Sequence, residues 1–206
     1  MPNYSDRYRS QSPSEIRASF AVLEGYWNDV RIGRSGASSS FDPSAVESVL
    51  PYSFVVEEIA PGLSRIRVCG TEVEKLFGQE LRGMPINSLF AGPSRAQIQS
   101  LLTQAYLGPT IVEANVSLGE AKGRLILLPL ATAYGEVIRA MCATIFEPGV
   151  HQGVYRMTIE KTPYRMQPLA AQHKPFSVIL GDKIENGRAP QGARPTKLQL
   201  VVNNPT

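Results

Sequence analysis

Between Pro51 and Pro148 the hydrophobic pattern of this 206-residue chain changes period twice. Two strand-like runs come first, then three helical segments, then three more strand-like runs with glycine-rich joints. Strands, a block of helices, then strands again point to an α+β domain. In Ser53–Ile59, Phe54 and Val56 share one face. Pro61-Gly62 turns the chain into Leu63–Cys69, where Ile66 and Val68 face one way and Arg65 and Arg67 the other. The short joint makes the pair a hairpin.

The helical middle opens at Gly70-Thr71. Thr71 and Glu74 have capping-box spacing, Val73, Leu76 and Phe77 give an apolar face, and Gly78 is a natural stop. A second short element spans Pro85 to Phe90. A third starts near Pro93, places Ile98, Leu101, Leu102, Ala105 and Tyr106 on one stripe, and ends at Gly108-Pro109. Next, Val112, Ala114, Val116 and Leu118 alternate with Glu113, Asn115 and Ser117, which predicts a strand with one wet face. Gly119–Gly123 is a turn, and the nearly continuous apolar run Arg124–Ala131 predicts a central strand. Pro129 is awkward there and predicts a bulge or an early end. After a turn at Tyr134-Gly135, Val137–Phe146 is the last strand, and Pro148-Gly149 closes the domain.

Upstream, Ser12 and Pro13 open a helix, with Glu15 adding first-turn charge. Ile16, Phe20, Leu23, Trp27 and Val30 follow at heptad spacing. The seam fits either a homodimer contact or packing across the sheet of the same chain. Asp42-Pro43 starts a second short helix, Ala45–Leu50, that Pro51 stops. The predicted organisation is a disordered leader over 1–12, N-terminal helices over 13–50, a domain over 51–148, and a Pro-rich extension over 149–206, disordered from about Lys183. Apolar clusters at Val154–Ile159, Phe176–Leu180 and Leu198–Val202 are candidates to add a strand or dock.

Charge is uneven. Residues 1–150 carry 13 Lys/Arg and 15 Asp/Glu, whereas residues 151–206 carry 8 and 3. A mildly acidic body with a basic tail disfavours specific nucleic-acid recognition by the body. The longest apolar run, Leu125–Ala133, is far short of the roughly 20 residues that span a bilayer. The first fifteen residues lack the apolar stretch of a secretory signal. A cytoplasmic protein is the expectation. Cys69 and Cys142 lie inside strand-like runs and read as small buried hydrophobes. No zinc-type ligand spacing, nucleophile elbow or phosphate-binding loop occurs, and the two histidines, His151 and His173, lie beyond the body. No enzymatic activity, metal or cofactor is expected.

Several short pieces occur together in order. They are Tyr26-Trp27, Arg31, Gly33, Arg34, Asp42-Pro43 and Leu50-Pro51, then Arg65-Ile66-Arg67, Gly70-Thr71 and Leu76-Phe77-Gly78, then Glu80-Leu81-Arg82-Gly83, Arg95 and Leu127-Leu128-Pro129-Leu130. In this the chain resembles the single-domain PAS proteins common in alphaproteobacteria. That branch usually has Pro-x-Arg after Arg34, where this chain has Ser35–Ser40. The resemblance implies a five-stranded antiparallel sheet with helices on one face, preceded by the N-terminal helix. It also implies a sensory or regulatory module without an output domain, acting by protein–protein contact in bacterial signalling of the cell-cycle or motility type.

Signalling proteins such as sensor kinases are the partners so implied. His is absent before Val150, so a haem ligand from the body would have to be Met84, Met141 or Cys142, which read rather as packing residues, and a flavin-reactive cysteine is excluded by its absence from Thr71–Tyr106. A small apolar ligand remains possible between helices and sheet. Its candidate lining is Leu76, Phe77, Leu81, Phe90, Leu101, Leu102, Val116, Leu127, Met141 and Ile145, with Asn87, Asn115 and Thr144 as polar candidates. Arg31, Arg34, Arg65, Arg67 and Arg82 suit either structural ion pairs or anion recognition. The alternative function is a passive scaffold or localisation module with a filled core.

Overall fold

Five long strands form the frame: β1 (Ser53–Ala60), β2 (Leu63–Cys69), β3 (Thr110–Leu118), β4 (Ala121–Ala131) and β5 (Val137–Phe146). Neighbours pair antiparallel in the order β2-β1-β5-β4-β3. Two short strands, β6 (Thr158–Ile159) and β7 (Arg165–Pro168), pair with β3 and extend the sheet to seven strands. The computed structural model describes residues 8–31, 43–131, 137–149, 156–160 and 165–169. The chain divides into a unit over 1–170 and another over 171–206, and the second lies outside the described residues. So do Gly33, Arg34, Ser35–Ser40, Asp42, the Tyr134-Gly135 turn, both histidines, and the tail clusters at Phe176–Leu180 and Leu198–Val202.

Helix α3 (Thr71–Phe77), the 3₁₀ turn Ile86–Leu89 and α4 (Ser94–Leu107) roof one face. The α+β frame with a roofed antiparallel sheet is therefore the one expected. The N-terminal helix α1 (Pro13–Arg31) adds a cover on the opposite face, over β4 and β5. Helix α2 (Pro43–Val49) and the 3₁₀ turn Leu50–Tyr52 lead from it into β1. Ile16, Phe20, Leu23 and Trp27 are at most 3% exposed and pack on Ile111, Ile126, Leu128, Ala143 and Ile145. The heptad seam is thus spent within the chain, and only Val30, 46% exposed, stands free of it.

Ser12 and Glu15 close a capping box at the start of α1, with Ser12 N donating to the Glu15 carboxylate at 2.7 Å and Glu15 N to Ser12 Oγ at 3.4 Å. Hydrogen bonds from Ser12 hold the Glu15 carboxyl below its usual range. The residues just before it, assigned to a disordered leader, are pinned. Tyr8 OH accepts from Phe146 N at 2.8 Å, Arg9 N donates to Glu72 at 2.8 Å, and Gln11 N donates to Phe146 O at 3.0 Å.

Other local expectations need correction. Thr71 and Glu74 form no capping box, because the cap position of α3 falls on Gly70. A Cβ there would lie 2.4 Å from the carbonyl oxygens of Leu50 and Pro51, so no capping side chain fits. Glu74 instead accepts from Leu81 N at 3.4 Å. The wet face of β3 is covered at its centre, where Glu113 is 7% exposed and pairs with Arg124 at 2.9 Å and Arg165 at 3.4 Å. Pro129 neither bulges nor ends β4; it pairs with Ala140, and the irregularity comes later, at Leu130/Ala131. β3 pairs with β4 only as far as Leu127. The missing proline N–H therefore removes no ladder bond, and the Pro129 carbonyl is free to accept Trp27 Nε1 at 2.7 Å.

Val68 departs furthest from strict alternation. Val55 pairs with Val68 and Val56 with Ile66, which leaves Arg67 as an extra residue on β2. One bulged residue reverses the alternation beyond it. Ile66 is fully buried under the roof, while Val68 is 61% exposed on the other face.

Candidate functional site

Two places could carry a function: the space between roof and sheet, and the part of the opposite sheet face that α1 leaves open. Leu76, Phe77, Leu81, Phe90, Leu101, Leu102, Val116 and Leu127 do come together under the roof. Met141 and Ile145 do not. On β5 the inward set is Ala140, Cys142, Thr144 and Phe146, and period two sends Met141, Ala143 and Ile145 toward α1. Asn115 belongs to neither set, since its amide donates to Glu160 at 3.0 Å, and Asn87 is half-buried. Thr144 is buried, and its hydroxyl points to Met157 Sδ at 3.8 Å.

Side chains fill the roofed space. Phe54, Phe77, Phe90, Tyr106 and Phe146 occupy it with the aliphatic residues. Met157 enters from beyond the predicted domain boundary, held by Met157 N to Leu89 O at 2.8 Å and Ala91 N to Met157 O at 2.9 Å. Two surface depressions touch this core only at its margins, one at Ile66 and one at Val116. Burial pushes the Cys69 thiol up to about 12 and the Cys142 thiol higher still. Neither is then a thiolate at neutral pH. A maleimide is expected to leave both unlabelled in native protein and to label both in denaturant. Rapid native labelling of Cys69 would show that the β2 edge opens.

The larger depression, of about 460 Å³, lies at the β2 side of the sheet. Its lining includes Val55, Val68, Glu57, Arg67, Arg139 and, from the loop after α3, Arg82 and Gly83. Glu57 is shared by two guanidinium groups. Arg139 donates to Oε1 from Nε at 2.8 Å and from the terminal nitrogen at 2.7 Å, and Arg67 Nε donates to Oε2. Hydrogen bonds from Arg139, reinforced by Arg67, hold the Glu57 carboxyl below its usual range against the opposing effect of burial. The two arginine side chains remain half exposed, at 48% and 50%. Arg82 is exposed and makes no ion pair among the described residues. Three guanidinium groups against one carboxylate leave the depression net positive.

The arginines marked in the sequence therefore divide. Arg31 lies over the Trp27 ring at 5.3 Å and bonds Asn28 at 2.9 Å, and Arg65 donates to Gly83 O at 2.7 Å. Both are structural. Arg67 and Arg82 reach the depression, where Arg139 joins them. Arg139 was not singled out from sequence, although it is the one charged residue in Val137–Phe146. Among the described residues no cluster of His, Cys, Asp and Glu could hold a metal, and no helix is long and apolar enough to cross a membrane.

The fold is thus a curled antiparallel sheet, roofed by short helices on one face and carrying an N-terminal helix on the other. A family model described as PAS domain matches residues 16–145, from the first seam residue of α1 to the penultimate residue of β5, and the chain belongs to that family, whose domains are sensory or regulatory modules. No curated protein matches it.

Proposed function

We propose that this chain is a regulatory module that acts by protein–protein contact through the sheet face left open beside α1, with no catalytic step of its own. The observation that supports this is the packing of the roofed space, where Met157 and five aromatic rings sit. A filled interior favours contact over gating by a small apolar ligand. The reading also places the chain in the cytoplasm, in the single-domain branch it resembles, acting on bacterial signalling proteins such as sensor kinases. It assigns α1 to packing on its own sheet rather than to a homodimer. A passive scaffold would share the filled core; it differs in leaving its partner's activity unchanged on binding.

A photo-crosslinking side chain placed at Val68, and in a second variant at the 84% exposed Leu107 on α4, tests the reading in the native cells. Crosslinks to a discrete partner are expected from position 68 and not from position 107. Native mass spectrometry of the purified chain is expected to give the bare mass. A retained small molecule, or crosslinks from position 107 alone, overturns the proposal.

A further inference from the structure

From the arginine-lined depression on β1, β2 and β5 we infer an acidic, aliphatic peptide segment of a partner protein as its occupant. The inference rests on the proposed function and adds the chemistry of the partner. Val55 and Val68 supply an aliphatic floor, and Arg67, Arg82 and Arg139 supply the charge. Glu57 uses one donor of Arg67 and two of Arg139, so each guanidinium keeps donors to spare while its position is fixed. Pre-positioned guanidinium groups recognise carboxylates bidentately with little further loss of side-chain freedom.

Charge complementarity decides among occupants. Residues 171–206 of the chain carry 5 Lys/Arg and 2 Asp/Glu, the wrong sign of charge for a net-positive surface. A second copy docking by the same face would set these arginines against their own counterparts across a twofold axis. A nucleotide would find phosphate partners, but no aromatic ring lines the depression to stack its base. Addition of a strand at the β2 edge is blocked at Ile66, whose N–H donates to Met84 O at 3.0 Å and whose carbonyl accepts from Gly83 N at 2.7 Å. Side-chain recognition on the sheet face is what remains.

The test is fluorescence anisotropy on the full chain with a labelled peptide alternating glutamate and valine. The wild type is expected to bind it, to bind less well as salt rises, and to ignore the same peptide with lysine for glutamate. Arg82→Glu, at an exposed side chain, is expected to weaken binding by about tenfold or more, with Arg139→Gln weakening it in the same direction. Lys122→Glu makes the same change of net charge elsewhere and is expected to leave binding intact. No binding by the wild type, equal loss in Lys122→Glu, or preference for the lysine peptide overturns the inference. So does displacement of the peptide by adenosine monophosphate at lower concentration than by unlabelled peptide, or a dimer by light scattering that Arg82→Glu abolishes. Crosslinking from position 68 without acidic-peptide binding removes the inference and leaves the proposed function standing. Crosslinking from position 107 alone removes the function whatever the peptide does.

Discussion

Trp27→Ala is expected to destabilise the domain by about 3–5 kcal/mol, the range for truncating a large buried aromatic side chain. Trp27 is 2% exposed, packs α1 on the face opposite the roof, and donates the 2.7 Å hydrogen bond to Pro129. The substitution removes the packing and leaves a buried carbonyl unpaired in one step. Trp27→Phe keeps most of the packing and loses the bond, so about 1–3 kcal/mol is expected from the orphaned carbonyl. Urea unfolding of the three proteins separates the contributions through the midpoint at constant slope. Against a total stability of about 5–15 kcal/mol, the alanine variant sits near the threshold of folding. A loss below about 1 kcal/mol for Trp27→Ala would mean that α1 contributes little to holding the sheet.

Gly70→Ala is the second large expected effect. The new methyl would lie 2.4 Å from two backbone oxygens, at Leu50 and Pro51, and backbone cannot rotate away as a side-chain tip can. The strand β1 must shift, or the Gly70 N to Ser53 O bond of 2.8 Å must break, and overpacking of this kind costs about 2–3 kcal/mol or more. Gly78→Ala makes a useful contrast. It has φ +66° and open space around it, so only the left-handed strain of about 1–2 kcal/mol is expected. A melting series ranks them, and Gly78→Ala melting below Gly70→Ala would show that the backbone crossing at residue 70 yields to an added methyl.

Period and punctuation carried most of the fold. β2 and β5 run over the same residues that alternation and turn chemistry predict, and α4 ends where Gly108-Pro109 must end it. The failures have one physical source: sequence period says nothing about what lies across a strand. A single bulged residue at Arg67 turned Val68 outward. Met141 and Ile145 could not be told from the roofed set by sequence, because both faces of β5 are buried at its centre and an apolar residue suits either one. Met157 and Ile159 lie in the apolar cluster Val154–Ile159, which does add a short strand and dock, but the sequence could not say where, because the partners at Leu89 and Ala91 are far away along the chain. β7 has no apolar run at all. It is ordered by its ladder with β3 and by Arg165, which forks onto Glu24 at 2.6 and 3.3 Å. The depression was half legible: Arg67 and Arg82 stood in the motifs, while Arg139 needed the pairing of β1 with β5 to be placed beside Glu57.

The outer rim of β3 has a consequence for how the chain emerges from the ribosome. Thr110–Leu118 is translated well before Arg165–Pro168, the segment that covers it. At roughly 5–20 residues per second, the nascent sheet spends on the order of seconds with an unguarded ladder. During that interval the same hydrogen-bonding groups can template a neighbouring nascent chain as readily as their own late-arriving strand. Holdase-type chaperones, and codon usage between those two segments, therefore have a natural point of leverage on the yield of folded protein.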